Sequence, residues 1–281
     1  MWDRRIRRAL LAVLALTSLF AAVTASSAMA APKGEFAVFE ECPTGNAELS
    51  GCIAAKAERG SIKFGKQTVP IVHTQTLQGG FIENEEGEFK FVEAAKGNTL
   101  TKTAQKIPGG LLGINCTEIT NKTLREACEA VFENKLTAVY ATVELAGPAS
   151  GIYLNEGNLL LEEGTALGLP TKIKIENPLF GSSCYIGSNS KPVVVDLTTG
   201  KSGTLTGKLG ELSSRSEGEI LVIKNNSLVN GTVSVPEAAG CGLATGLVNE
   251  KLGLPSGSGK NLVNLEGTIE QTGAEAARRS E

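Results

Sequence analysis

About a dozen short runs rich in β-branched and aromatic residues follow one another along the chain, and turn residues separate them throughout. In the first half these are FAVFE (36–40), SIKFG (61–65), TVPIVHTQTL (68–77), GEFKFVEA (87–94) and KLTAVYATVEL (135–145), often with apolar side chains in period two. The second half continues with GIYLN, NLLLEEG, TKIKIEN, KPVVVDL, GEILVIKN, SLVNGTVSV and NLVNLEGTIEQ. Runs of this length, so closely spaced and so rich in Gly, suit an all-β fold, and the pattern predicts an antiparallel β-sandwich, jelly-roll-like or simply large. In IKNNSLVNGTVSV (223–235), Asn225-Asn226 and Asn230-Gly231 are turn signals, and the second suits a tight hairpin because both residues tolerate positive φ. The polar stretch 201–219 reads as a long loop or mobile hairpin inside the domain. LGLP occurs at 167–170 and again at 252–255, but no repeat of fixed period emerges.

One segment departs from this pattern. In TEITNKTLREACEAVFENK (117–135), Thr123 followed by Glu126 looks like a capping box, and Leu124, Cys128, Val131 and Phe132 share one helical face. A helix is expected from Leu124 to Asn134, with Cys128 turned inward. A second short helix fits LATGLVNEKL (243–252), stopped by Gly253 and Pro255.

The chain opens with Arg4, Arg5, Arg7 and Arg8, an apolar run from about Ala9 to Val23, and small residues ending Ala28-Met29-Ala30. That order is the one of a secretory signal peptide cleaved after Ala30. The apolar run is shorter than the roughly 18 to 20 residues of a spanning helix, and the paired arginines fit a twin-arginine signal only weakly. The expected organisation is a signal peptide (1–30), a single domain (31–272) and a flexible C-terminal tail (273–281). The product is expected to be secreted or held at the cell surface, with no membrane span after cleavage.

All six cysteines, Cys42, Cys52, Cys116, Cys128, Cys184 and Cys241, follow the cleavage site. An even number in an exported chain reads as three disulfides, for which 15 connectivities exist. Pairing of sequence neighbours is chosen because each pair brackets a local structural unit. Cys42 and Cys52, in ECPTGNAELSGC, are too far apart for a C-x-x-C redox pair. They are expected to pin the turn after FAVFE to the start of CIAAKAERG.

Removing the leader lowers Lys+Arg from 27 to 23 and Asp+Glu from 30 to 29, so the net charge moves from -3 to -6. This acidity argues against nucleic acid, whose phosphates need a concentrated basic surface. The remaining chain has no Trp or Met, one aspartate, Asp196, and one histidine, His73. A Ser-His-Asp device needs that histidine as a proton shuttle, but His73 sits in a strand pattern and no G-x-S-x-G elbow accompanies it. No C-x2-C pair offers a zinc site, and NEEGE (84–88), with Glu85, Glu86 and Glu88, reads as a solvated hairpin tip before a calcium loop. SGSGKN (256–261) lacks the first glycine and the final Ser/Thr of a phosphate loop and is a turn. The sequons at Asn115, Asn121, Asn225 and Asn230 read as turn-forming asparagines.

Paired glutamates are the one enzymatic chemistry that the inventory allows. Glu40-Glu41 and Glu162-Glu163 are adjacent, however, and on a strand would face opposite ways. Catalytic, cofactor-binding and metal residues are therefore expected to be none. A ligand site is best sought where Tyr140, Tyr153 or Tyr185 meets a glutamate.

CPTGN (42–46), TLQGGF (76–81), PGGLLGI (108–114), ELAGPAS (144–150) and NPLFGSSCYIGS (177–188) resemble a set of exported, β-rich proteins of high-GC Gram-positive bacteria. The resemblance implies a signal peptide and a β-rich body; it carries no assigned activity and no functional residue. The expected function is that of a non-catalytic structural or ligand-binding module, whose partner would be an envelope component or polysaccharide. The alternatives are a carbohydrate-active hydrolase using paired glutamates and a self-assembling envelope protein.

Overall fold

The computed structural model describes residues 31–281 except 86, 87 and 133; the leader and part of NEEGE lie outside the described residues. The first half carries β1 (Gly51–Phe64), β2 (Gln67–Pro70), β3 (Gln75–Glu83), β4 (Phe89–Val92), β5 (Gln105–Lys106), α1 (Lys122–Phe132) and β6 (Tyr140–Leu145). Next come β7 (Tyr153–Leu154), α2 (Glu156–Leu161), β8 (Leu167–Glu176), β9 (Tyr185–Ile186), β10 (Val193–Leu197), β11 (Lys201–Ser202) and β12 (Leu205–Thr206). The last part carries β13 (Glu211–Arg215), β14 (Ile220–Asn230), β15 (Ala238–Ala239), α3 (Thr245–Leu252), β16 (Leu262–Gly273) and α4 (Ala274–Arg279).

The fold is all-β and antiparallel, with a few short helices and three disulfides. One layer runs β13-β14-β16-β1-β3-β4; β7, β8, β6 and β5 form the other, with β9 and β10 also on β8. The layers are joined twice. On one side β4 pairs with β7; on the other Thr198 and Val229 exchange both backbone hydrogen bonds, at 3.0 and 2.8 Å. The inner faces share one core, to which β8 contributes Leu169, Ile173 and Ile175, β10 Val193, Val195 and Leu197, and β16 Val263 and Ile269. The alternation in TKIKIE and VVVDL is this inward-outward period.

A second, smaller core lies on the other side of β1. There Cys52 and Ala54 of β1 pack with Phe39, Leu49, Ile220, Ala274 and Ala277. This explains a departure at the C-terminus, where AEAARRSE reads as a frayed tail. It forms α4 instead, because Ala274 and Ala277, one helical turn apart, close over the small core. Arg278 then donates to the carbonyls of Thr44 and Asn46 at 2.9 and 2.7 Å.

Other local expectations change as well. FAVFE is a 3₁₀ turn, Gly34–Phe39, since Phe39 must fold down into the small core. NLLLEEG is mostly helix α2: Asn155 caps it by accepting from the Asn158 N–H at 2.8 Å, and only Leu159 is buried. The capping asparagine and Glu156 in the first turn outweigh the strand-like leucines. GEILVIKN and SLVN are one strand, β14, not two strands and a turn; Asn225, at φ 54°, is a bulge inside it. Asn230-Gly231 is not a tight hairpin: the Asn230 side chain donates to the Asp196 carbonyl and accepts from the Thr232 N–H.

Helix α1 starts at Lys122 and is capped not by Thr123 but by Asn121, whose side-chain oxygen accepts from the Leu124 N–H at 3.1 Å. Its apolar face is not turned into the core: Leu124 is 62% and Val131 59% exposed. Cys128, half-buried, joins the helix to buried Cys116. The other pairs are Cys42–Cys52 and Cys184–Cys241, so each cysteine is joined to its sequence neighbour.

Two bulges meet at one glycine of β16. On β1 the register skips a residue between Ala57 and Arg59, opposite Gly267 and Glu266. On β14 it skips between Ile223 and Asn226, opposite Ile269 and Gly267. Three long strands thus bend at one level, which curls the layer toward its partner. A Cβ on Gly267 would lie 1.7 Å from the Lys56 carbonyl oxygen, so no side chain fits. Gly267→Ala is expected to cost about 3 kcal/mol or more, read as a fall in the urea midpoint at unchanged slope. The 184–241 bridge spans 57 residues and the 42–52 bridge 10. On the chain-entropy relation, replacing the long pair by serines should cost about 1.5 kcal/mol more than replacing the short pair, as paired urea melts would show.

Candidate functional site

Between the layers the inner side chains do not fill the space. One hollow has a volume of about 120 Å³, comparable to cavities that stay dry and accept a small apolar molecule. Its walls come from β1 (Ile62, Phe64), β2 (Val69), β6 (Ala141, Val143), β8 (Leu169, Ile173, Ile175), β10 (Val195, Leu197) and β16 (Val263, Leu265), among others. Among the described residues no charged one lines it, and Gln67, Gln75, Gln105 and Thr171 are the polar ones in its walls.

Smaller hollows adjoin it. One of about 60 Å³ shares Gln75, Leu100, Leu169, Leu197 and Leu265 with it. Another of about 90 Å³ shares Gln67, Ile107, Ile175 and Leu252. Along β8 the three succeed one another: Leu167 and Leu169 line the smallest, Leu169 to Ile175 the largest, and Ile175 the last. At about 3.3 Å per residue, that row follows roughly 26 Å of strand. Its far end opens where Leu247 of α3, 46% exposed, lines the 90 Å³ hollow with Lys251.

The polar groups in the large hollow are mostly engaged. The Thr171 hydroxyl donates to the Val193 carbonyl at 2.9 Å. Gln105, buried, accepts the N–H groups of Val72 and His73 at 3.0 and 3.1 Å and donates to the His73 carbonyl at 2.7 Å. Its amide thus does for the chain what a neighbouring strand would, and TVPIVHTQTL, which reads as one strand, is split into β2 and β3 around an exposed bend at Val72–Thr74. Gln75 differs. Its Nε2 donates to the carbonyls of His73 and Thr103, at 3.3 and 3.0 Å, while its Oε1 is buried with no hydrogen-bond partner.

The residues singled out in the sequence are not drawn together. His73 is exposed in the bend between β2 and β3. Glu41 is buried and takes Lys96 Nζ at 3.3 Å, while Glu40 is exposed. Glu162 accepts the Leu209 N–H at 2.7 Å, and Glu163 is exposed. Among the described residues no group of three His, Cys, Asp or Glu side chains could hold a metal. Tyr140 and Tyr153 are exposed, and neither they nor Tyr185 line the large hollow. The lining residues themselves escaped notice; their only trace in the sequence is the alternation of β1, β8 and β10, which marks an inner face without saying whether it meets another.

Tyr185 does meet a glutamate, but on the outer face of β8. Lys172 Nζ sits 5.1 Å from the ring centroid and 3.8 Å from the Glu144 carboxylate, and Lys174 Nζ is 2.7 Å from Glu176. Partial burial, and then the negative charge of Glu144, hold the Tyr185 phenol above its ordinary pKa. Lys174 is held above its own by the hydrogen bond and charge of Glu176. This cluster is a ladder of cross-strand pairs that covers the sheet.

No protein-family profile matches the chain, and neither a curated protein nor a solved structure matches it.

A raised phenol pKa means that the folded protein keeps a proton that the unfolded chain releases, so stability should fall as pH climbs past the unfolded value of about 10. Ultraviolet titration of the phenolates should show a late component that Tyr185→Phe removes, and the variant should lose less stability over the same alkaline range.

Proposed function

We propose that this chain is an exported, non-catalytic binding protein that holds an apolar molecule between its two β layers. The observation that carries this reading is the hollow of about 120 Å³ with no charged residue in its walls. An empty apolar space of this size forfeits the packing that its lining residues would otherwise have. A hydrocarbon placed there regains that packing and leaves water at about 25 cal/mol per Å² of apolar surface. A large apolar pocket with few polar groups is also the usual form of a small-molecule site. Catalysis has little support in the same space: neither a carboxylate nor a histidine lines it.

Export rests on the leader sequence and is favoured by the three disulfides, which persist in oxidising compartments. Among the described residues no helix is long and apolar enough to cross a membrane.

N-phenyl-1-naphthylamine, a neutral probe that fluoresces in apolar surroundings, tests the site. It should brighten on the oxidised protein and saturate at one probe per chain. Ala141 lines the hollow, and Ala141→Phe should weaken binding at least about tenfold by occupying the space, while the melting transition stays cooperative. A folded wild-type protein that leaves the probe dark at high micromolar concentration would refute the reading.

A further inference from the structure

We infer that the ligand of this hollow is a long-chain fatty acid, its tail lying along the row of hollows on β8 and its carboxylate in water beside Lys251 at the open end. The inference rests on the apolar-ligand reading above and adds to it the head group and the direction in which the chain lies.

The tail follows from the walls. Leu169, Leu197 and Leu265 are shared by the 60 and 120 Å³ hollows, and Ile107, Ile175 and Leu252 by the 120 and 90 Å³ ones. An occupant that uses more than one of them is long and narrow, as a single alkyl chain is. Each methylene that leaves water for such walls adds to the affinity.

The head group follows from how charge is distributed along the row. A further hollow of about 20 Å³ shares Leu77, Leu167 and Leu228 with the 60 Å³ one, and its charged lining residue is Glu156. In the 60 Å³ hollow Lys56 is offset by Glu266. The 120 Å³ hollow has no charged lining residue among those described, and in the 90 Å³ hollow the charged one is Lys251. One end of the row thus presents a carboxylate, and the other a cation with no described carboxylate in the same walls. An anionic head is repelled at the first end and attracted at the second.

The place of Lys251 suits that role. It is exposed in the last turn of α3, the helix that also lines the hollow with Leu247, Val248 and Leu252. A lysine that lines an apolar space and is also exposed lays its stem along the wall and keeps its ammonium in water. Among the described residues no carboxylate forms an ion pair with it. Glu250, its neighbour in the chain, does not line the hollow. Lys66 adds a second cation at the same helix end, where its Nζ donates to the Glu250 carbonyl at 3.4 Å. A carboxylate that stops at this rim keeps most of its hydration, so the cost that bars an unpaired ion from apolar space does not arise.

Equilibrium dialysis of radiolabelled dodecanoate and 1-dodecanol against the oxidised protein, at neutral pH and below the micelle concentration, tests the assignment. Dodecanoate should bind at one per chain, and Ala141→Phe should weaken it at least about tenfold. The ratio of dodecanoate to 1-dodecanol affinity should fall about threefold in Lys251→Gln and about tenfold in Lys251→Glu, where attraction becomes repulsion; Lys251→Arg should keep it. Dodecyltrimethylammonium should show the opposite order and bind Lys251→Glu more tightly than the wild type. A ratio that is the same in the wild type and in the Gln and Glu variants would overturn the head-group assignment and leave the apolar-ligand reading standing. So would dodecanoate that fails to bind where 1-dodecanol does. Dodecanoate binding that Ala141→Phe leaves unchanged would overturn the placement of the tail. Failure of dodecanoate and 1-dodecanol alike to bind the folded wild-type protein would overturn both readings.

Discussion

The level of Gly267 governs the bend of the layer formed by β14, β16 and β1. Three long strands run side by side there, and both neighbours of β16 carry an extra residue opposite this glycine or the next residue. Each bulge bends its strand and increases its twist, and with both at one height the layer curls. The backbone of β1 approaches so closely that no β-carbon is tolerated. Asn226, buried beside the bend, donates to the carbonyls of Ile223 and Gly267 at 3.1 and 2.9 Å and so satisfies groups that the broken register frees. On the side opposite β4 and β7 the layers are joined by the Thr198–Val229 bridge and by the Asn230 amide, which donates to the Asp196 carbonyl.

The hollow is a consequence of that curvature. Flat layers pack face to face at about 10 Å and interdigitate; curled layers diverge in the middle and meet at the edges. The inner residues are mostly medium-sized aliphatics such as Ile173, Val195 and Val263, too short to bridge the widened gap. Of the polar side chains around it, Gln105 and Thr171 are held by hydrogen bonds within the protein. Outside the two layers the stabilising features are of a different kind. The Cys116–Cys128 bridge ties α1 to a short 3₁₀ turn, the Cys42–Cys52 bridge ties a loop to β1, and the alanine face of α4 closes the small core beside β1.

Much of the fold is legible in short sequence patterns. TKIKIE, VVVDL and NLVNLEGTIEQ alternate and are strands. The three cysteine pairs are those of neighbours, since each pair does bracket a local unit. What misleads is context. FAVFE and NLLLEEG have strand-like composition, but they are short, and a buried Phe39 in one and a capping Asn155 in the other decide for helical turns. The apolar stripe of α1 suggests burial, yet the disulfide to Cys116 holds the helix where Leu124 and Val131 remain exposed. The site is less legible still, because its walls come from strands that are remote in sequence, β1, β6, β8, β10 and β16.

By itself the sequence determined which faces of the strands are apolar, where the turns fall in most of the chain, and that three local disulfides are available. It also determined the poverty of catalytic groups after residue 30: one histidine, one aspartate, and cysteines committed to bridges. Only the tertiary structure decided that the inner faces enclose a hollow rather than a filled core. The reason is geometric. Whether two apolar faces touch depends on the distance between them, and that distance is set by bulges at Glu58 and Asn225 and a bare backbone at Gly267, whose combined effect appears only when three strands that are remote in sequence lie side by side.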